Sequence, residues 1–230
     1  MRKGHGVTTY DDEFYRDILE GMAVYADSDF QRDVLAALTR HQEPGIGVAL
    51  NKNQMASKLW LADSLFATLG ARLGNVLVLG GWVGALGAVL LHDRRFDIRR
   101  VISIDIDARC APIAESLNAT HVRAGRFSAR TADMLGLDYG PNTGRSADER
   151  ADLIINTSCE HLPDFQRWYA CVPDGQLLVL QSNDYFACNE HVNCVADLAA
   201  FRTQAPLAEP LFAGERRMRR YTRFMLIGRK

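Results

Sequence analysis

Residues Asn75 to Leu91 read NVLVLGGWVGALGAVLL. The run NVLVLG is short, continuous and apolar, and it ends in glycine. That is how a strand buried on both faces of a parallel sheet reads. ALGAVLLHD then continues as a helix. Between them stand Gly80, Gly81 and Gly84, and a glycine turn joining a strand to its helix lets a ligand approach the backbone. The dinucleotide fingerprint GxGxxG is imperfect here. Its window, WVGALG, places Trp82, Gly84 and Gly87, so its first glycine is a tryptophan. The next apolar run, RVISIDID, ends in acids. Asp105 lies 25 residues beyond Gly80, where a carboxylate can accept two hydrogen bonds from ribose hydroxyls. The pair asks for an adenosine-type ligand, with or without phosphates.

Around this stretch the rhythm divides the chain in two. Residues 11 to 70 have helical spacing throughout. DDEFYRDILEGMAVYA spaces Phe14, Ile18, Leu19 and Met22 behind an acidic start, and DSDFQRDVLAALTRH does the same with Phe30, Val34, Leu35 and Leu38. Pro44 breaks the pattern, and NQMASKLWLADSLFATLG forms a further helix closed by Gly70. From residue 74 strands alternate with helices: NVLVLG, RVISIDID, a third strand within HVRAGRFSARTADM, ADLIINTS, QLLVLQSN after the turn at PDG, and a last strand in MRRYTRFMLIGRK. A helical stretch falls near 195–204. This alternation predicts a parallel sheet with helices on both faces. The polar loop 136–150 reads as exposed and mobile.

Totals narrow the function classes. The 230 residues are 47% hydrophobic and 24% charged, with a net charge of −1, so no global field draws the chain onto nucleic acid or an anionic membrane. Five cysteines without a CxxC suit a reducing compartment. The first residues have no apolar core of a signal peptide, and no run reaches the length of a membrane span. A cytoplasmic protein is expected.

Taken in order, these motifs resemble the class I S-adenosylmethionine-dependent methyltransferases, over about residues 74 to 185 and the last strand. That family's first strand commonly reads VLDLGCGTG. Here VLVLGGWVG aligns Gly80 and Gly84 with the outer glycines, puts Val78 at the usual acid and Trp82 at the middle glycine. ADLIINTSCEHLPD resembles the fourth-strand motif, and CVPDGQLLVL the turn into the fifth. The resemblance implies an α/β, Rossmann-like, mostly parallel seven-stranded sheet with a helical N-terminal segment. It divides the chain into a segment or lid over 1–73 and an S-adenosylmethionine-binding domain over 74–230. It assigns Asp105, with Ile106 beside it, to the ribose and Asp133 to the adenine amino group. Gly80, Gly81, Trp82, Gly84 and Asn156 would complete the cofactor site. Val78 cannot hold the methionine amino group, and Asn156, the glycine backbone, Asn53, Gln54, Ser57 or Lys58 would take its place. Lys58 would pair with the methionine carboxylate. Plain structural alternatives stand beside these: Asp105 or Asp107 as a helix cap, Asp133 as a turn residue, Trp82 as core.

The crevice beyond the fourth strand holds Asn156, Ser158, Glu160 and His161. A base there would take a proton from the attacking N or O, and His161 has the side chain whose pKa suits neutral pH, with Glu160 and Asn156 as the other catalytic candidates. Alignment alone can suffice for a neutral amine. The loop QSNDYFACNEHVNCV nominates Asn183, Tyr185, His191 and Asn193 for substrate contact. Cys188, His191 and Cys194 read CxxHxxC, which matches no standard structural zinc site, so free thiols and no metal are expected. ERRMRRYTRF carries five arginines, read as a solvated edge. The reading is methyl transfer to N or O of a small polar metabolite, with no nucleic acid or membrane partner and a homodimer left open. An RNA methyltransferase or a non-catalytic S-adenosylhomocysteine-binding relative are the alternatives.

Overall fold

The computed structural model describes residues 12–41, 45–140 and 150–230. The break at Pro44, the side chain of Phe14 and most of the 136–150 loop lie outside what is described. Four helices come first: α1 (Asp12–Ala26), α2 (Asp29–Arg40), α3 (Gly45–Ala49) and α4 (Lys52–Leu69). Their ends follow local chemistry. The Ser28 hydroxyl accepts the Gln31 N–H at the start of α2. Asn51 Oδ1 accepts the N–H groups of Asn53 and Gln54, both at 3.0 Å, and opens α4. Gly70, at φ 75°, ends it.

The strands are β1 (Arg72–Leu79), β2 (Asp97–Asp105), β3 (Phe127–Thr131), β4 (Leu153–Asn156), β5 (Leu177–Asn183), β6 (Glu209–Arg217) and β7 (Thr222–Arg229). Between them run α5 (Ala85–His92), α6 (Cys110–Leu117), α7 (Ala119–Arg123), α8 (Phe165–Cys171) and α9 (Leu198–Gln204). The sheet order is β3-β2-β1-β4-β5-β7-β6. Neighbours from β3 to β5 are parallel, and β7 runs antiparallel to both β5 and β6. The chain steps outward from β1 to β3 and then returns to place β4 on the other side of β1. Such a reversal opens a crevice at the carboxyl ends of the strands.

Alternate residues of each strand feed opposite faces. Val76, Val78, Ile155, Val179 and Met225 pack against α4 and α5 through Leu61, Leu65 and Leu90. Leu77, Leu79, Ile154, Leu178 and Leu226 pack against Phe165, Trp168 and Phe201. Gly87 belongs to the first of these faces, because a Cβ there would stand 2.7 Å from Phe127 Cε2.

The helical segment is fastened in two places. Helix α4 lies in the core of the sheet, and the Ser57 hydroxyl donates to Gln181 Oε1 at 3.4 Å. Helix α2 docks on α6 and α7. Buried Asp33 accepts the Thr120 N–H at 2.8 Å and its hydroxyl at 3.1 Å, and His41 Nε2 shares a 2.9 Å hydrogen bond with Ser116. Among the described residues no helix is long and apolar enough to cross a membrane. Strand β6 was not read from the sequence pattern. It is exposed along most of its length, so it lacks the alternation that betrays a half-buried strand.

Candidate active site

A cavity of about 770 Å³ opens at the carboxyl ends of β1, β2, β4 and β5. Gly80, Gly81 and Trp82 form one wall, with Asp105 and Ile106 from the end of β2 and Asp133 after β3. The turn explains its glycines and its tryptophan together. Gly80 has φ 59° and faces Ser158, so closely that a Cβ would lie 2.7 Å from the Ser158 hydroxyl. Trp82 has φ 47°, the left-handed region that glycine enters freely and other residues enter at a cost of about 1–2 kcal/mol. Its N–H donates to Asp105 Oδ2 at 2.8 Å, while Asp105 Oδ1 accepts the Asp107 N–H at 3.0 Å. Asp105 thus braces the turn across the two strands, and each oxygen keeps a further lone pair for a ligand. Asp133 Oδ1 accepts the Leu135 N–H at 2.9 Å and caps a short 3₁₀ turn, while still lining the cavity.

Helix α4 supplies Gln54 and Lys58 to the same cavity. Lys58 donates to Gln54 Oε1 at 3.0 Å. Burial pushes its pKa down to about 8, and the nearby Arg223 cation adds to the effect.

The opposite wall gathers residues far apart in sequence. Glu160 is buried, and its Oε1 accepts from Arg223 Nη1 and from Asn183 Nδ2, both at 2.6 Å. Arg223 Nη2 also donates to the Thr157 carbonyl at 2.6 Å. Antiparallel pairing of β5 with β7 sets Asn183 opposite Arg223 and makes this cluster possible. The Tyr185 ring stacks on Tyr221 at 5.6 Å. His161 Nδ1 bonds the Glu190 carbonyl at 3.0 Å, and its ring stands 4.6 Å from that of His191. Burial, more than any neighbouring charge, lowers the His191 pKa from its ordinary value.

Most sequence candidates meet here: Gly80, Gly81, Trp82, Asp105, Ile106, Asp133, Lys58, Glu160, His161, Asn183, Tyr185 and His191 all line the cavity. Three do not. Gly84 packs against α6, where a Cβ would meet Ala114 and Asn118 at 2.8 Å. Asn156 is fully buried, and its Oδ1 accepts the Ser158 N–H at 2.9 Å. Asn193 holds the loop, donating to the Cys159 carbonyl at 3.1 Å and accepting from Gln204 at 2.8 Å. The first two shape the turns behind the cavity, and the third pins the loop beside it.

Sequence reasoning missed Tyr221 and Arg223, read as part of a solvated arginine edge. Only Arg223 of that cluster turns inward; Arg216, Arg217, Arg219 and Arg220 are exposed. Among the described residues, neither cysteine of the CxxHxxC pattern belongs to a cluster of coordinating atoms. Burial pushes the Cys194 thiol up to about 11, with Glu160 contributing. The coordinating atoms that do cluster are those of Glu160, His161 and His191, all within 4.8 Å of one another.

This strand order, with the cavity at the switch point, is the class I S-adenosylmethionine-dependent methyltransferase fold. Among solved structures, the chain is similar to the N-methyltransferase NodS from Bradyrhizobium japonicum WM9 in complex with S-adenosyl-L-homocysteine. The TM-score is 0.58 at 15% identity, covering 86% of this chain and 96% of that one. It is similar as well to the magnesium protoporphyrin IX methyltransferase ChlM of Synechocystis PCC 6803 with bound S-adenosylhomocysteine, with a TM-score of 0.55 at 14% identity over 96% and 100% of the two chains. The [4+2]-cyclase SpnF shares the fold too, at a TM-score of 0.56 and 13% identity over 77% and 82%. No protein-family model matches the chain, and no curated protein matches its sequence.

Proposed function

We propose that this protein transfers the methyl group of S-adenosylmethionine to an N or O atom of a small polar metabolite. The observation that carries the reading is Asp105, bonded to the backbone of the glycine turn and facing the cavity with lone pairs to spare. In this reading Asp105 accepts the ribose hydroxyls. Ile106, 71% exposed and on the cavity wall, covers one face of the adenine, and Asp133 meets the adenine amino group. Lys58 pairs with the methionine carboxylate. That assignment gives α4 a functional role within the cover proposed over 1–73, and Val48 of α3 reaches the cavity too. The acceptor lies between Tyr185, His191, His161 and the buried Glu160. Alignment of the acceptor lone pair with the sulfonium methyl, in line with the breaking C–S bond, supplies most of the rate. Neighbours with bound S-adenosylhomocysteine support the donor. The cyclase neighbour is a reason to test transfer and binding separately, since a fold does not fix a chemistry. A cytoplasmic location belongs to the same proposal.

Calorimetric titration of S-adenosylmethionine, with Asp105→Ala alongside, tests the donor. Losing two hydrogen bonds to a carboxylate is expected to weaken binding about 100-fold. Wild-type protein that ignores the donor would overturn the reading.

A further inference from the structure

At the acceptor end of the cavity, three side chains have coordinating atoms that no neighbour uses. Glu160 Oε1 is engaged by Arg223 and Asn183, but Glu160 Oε2 is buried with no hydrogen-bond partner. His191 Nδ1 is buried and unpartnered too. His161 places Nδ1 against the Glu190 carbonyl at 3.0 Å. A carbonyl accepts only, so that ring nitrogen carries the proton, and in the neutral ring Nε2 keeps its lone pair. A carbonyl on the far ring nitrogen is how metal-binding histidines are commonly oriented. A buried carboxylate oxygen without a partner is costly to keep. A cation at this point would satisfy Glu160 Oε2 and both imidazoles at once.

We propose that Glu160, His161 and His191 bind a divalent transition-metal ion, and that this ion in turn binds a hydroxyl oxygen of the methyl acceptor. The second half rests on the methyl-transfer reading; the first does not. Two imidazoles and one carboxylate suit ions of the zinc, iron and manganese class, whereas magnesium and calcium call for oxygen ligands. Metal bonds of about 2.0–2.2 Å bring neighbouring ligand atoms to roughly 3 Å. The separations of up to 4.8 Å therefore have to close on binding. His161 is exposed on a short 3₁₀ turn and His191 sits in the loop between β5 and α9, so neither is held by a strand or an α-helix, while Arg223 and Asn183 fix Glu160. Three protein ligands leave further coordination positions for the acceptor.

The ion narrows the acceptor to oxygen. Arg223 already balances the Glu160 charge and Lys58 lies nearby, so the metal-loaded site favours an anionic oxygen such as a phenolate, an enolate or the alkoxide of a hydroxy acid. On the metal the acceptor hydroxyl loses its proton to solvent. An oxygen lone pair then forms the O–CH₃ bond, and the electron pair of the breaking C–S bond returns to sulfur, leaving a neutral thioether.

The test uses Co²⁺ as the probe, added to chelator-treated protein. The expected result is one Co²⁺ per chain with visible ligand-field bands, displaced by Zn²⁺ and not by excess Mg²⁺. His161→Gln and His191→Ala should each weaken Co²⁺ binding at least about tenfold, since even losing a group that only orients a ligand costs that much. These two side chains are not core residues, so the variants stay informative if Glu160→Gln does not fold. Absence of bands, or binding that survives both substitutions as an adventitious ion only, overturns the site. Titration of S-adenosylhomocysteine into the same metal-free protein keeps the two proposals apart. Its failure counts against the donor reading, whereas intact donor binding without a metal site sinks only this inference.

Discussion

Asp105 and Glu160 are both carboxylates at strand ends on one cavity, and they are held in opposite ways. Asp105 accepts from two backbone N–H groups, those of Trp82 and Asp107, at the crossing of adjacent parallel strands. Glu160 is held by side chains, Arg223 and Asn183, with Arg223 arriving on an antiparallel strand 63 residues later. The first arrangement depends on backbone shape and tolerates varied sequence. The second depends on particular charged groups out of water, where each has to be satisfied by name. The wall proposed for the donor therefore rests on backbone shape, and the wall proposed for the acceptor rests on particular side chains.

The strongest way to break that contrast is to remove Arg223. Arg223→Met leaves the Glu160 carboxylate buried without its cation, and about 3–5 kcal/mol of stability is expected to go, measured by urea unfolding. Adding Glu160→Gln should restore most of it, so the double variant should be more stable than Arg223→Met alone. If both variants unfold like wild type, side-chain charge is not what closes this wall. On the donor side, Asp105→Ala should cost less than Arg223→Met, about 1–2 kcal/mol, because the Trp82 N–H that it frees is open to water, and should weaken S-adenosylmethionine about 100-fold. A large stability loss there would erase the distinction between the walls.

Lys58 lies between the two. Its folded pKa of about 8 is below the ordinary 10.5, so from about 8 to 10.5 the unfolded chain binds more protons. Stability should therefore rise with pH across that window, and Lys58→Met should flatten the slope in pH-dependent unfolding. Donor affinity should move the other way, falling as pH rises through about 8 in wild type and not in the variant. The smallest effect is expected at Trp82. Because φ is 47°, Trp82→Gly should be more stable than Trp82→Ala by about 1 kcal/mol, a difference that thermal melts can resolve.

The donor wall could be read from sequence because its parts are local. Gly80, Gly81 and Asp105 come from two consecutive strands, and each announces itself by residue type at a strand end. Trp82 looked like a departure from the glycine pattern, yet its backbone takes the glycine conformation, which no residue count reveals. The acceptor wall was half legible. Glu160, His161 and His191 were visible as polar residues near the right strand ends. Their convergence was not, because nothing in CxxHxxC says that His191 comes within reach of Glu160 and His161. Arg223 was hidden by company: one inward arginine among four exposed ones carries the same letter. Strand β6 escaped for the reverse reason, since an exposed edge has no buried face to print a period-two pattern.

The β5–β7 pairing also orders events in time. As the chain leaves the ribosome, everything that shapes the donor wall from β1 to Asp133 is made before any of the acceptor wall. Glu160 then waits for its cation until β7 is synthesised. In that interval a strand edge on β5 stands open and a carboxylate meant for the interior has no counter-charge. Such an intermediate has reason to remain loose around β4 and β5, and unpaired strand edges are where partly folded chains aggregate. Docking of β7 is therefore expected to come late, and pulse-labelling hydrogen exchange should find β5 amides protected later than those of β1.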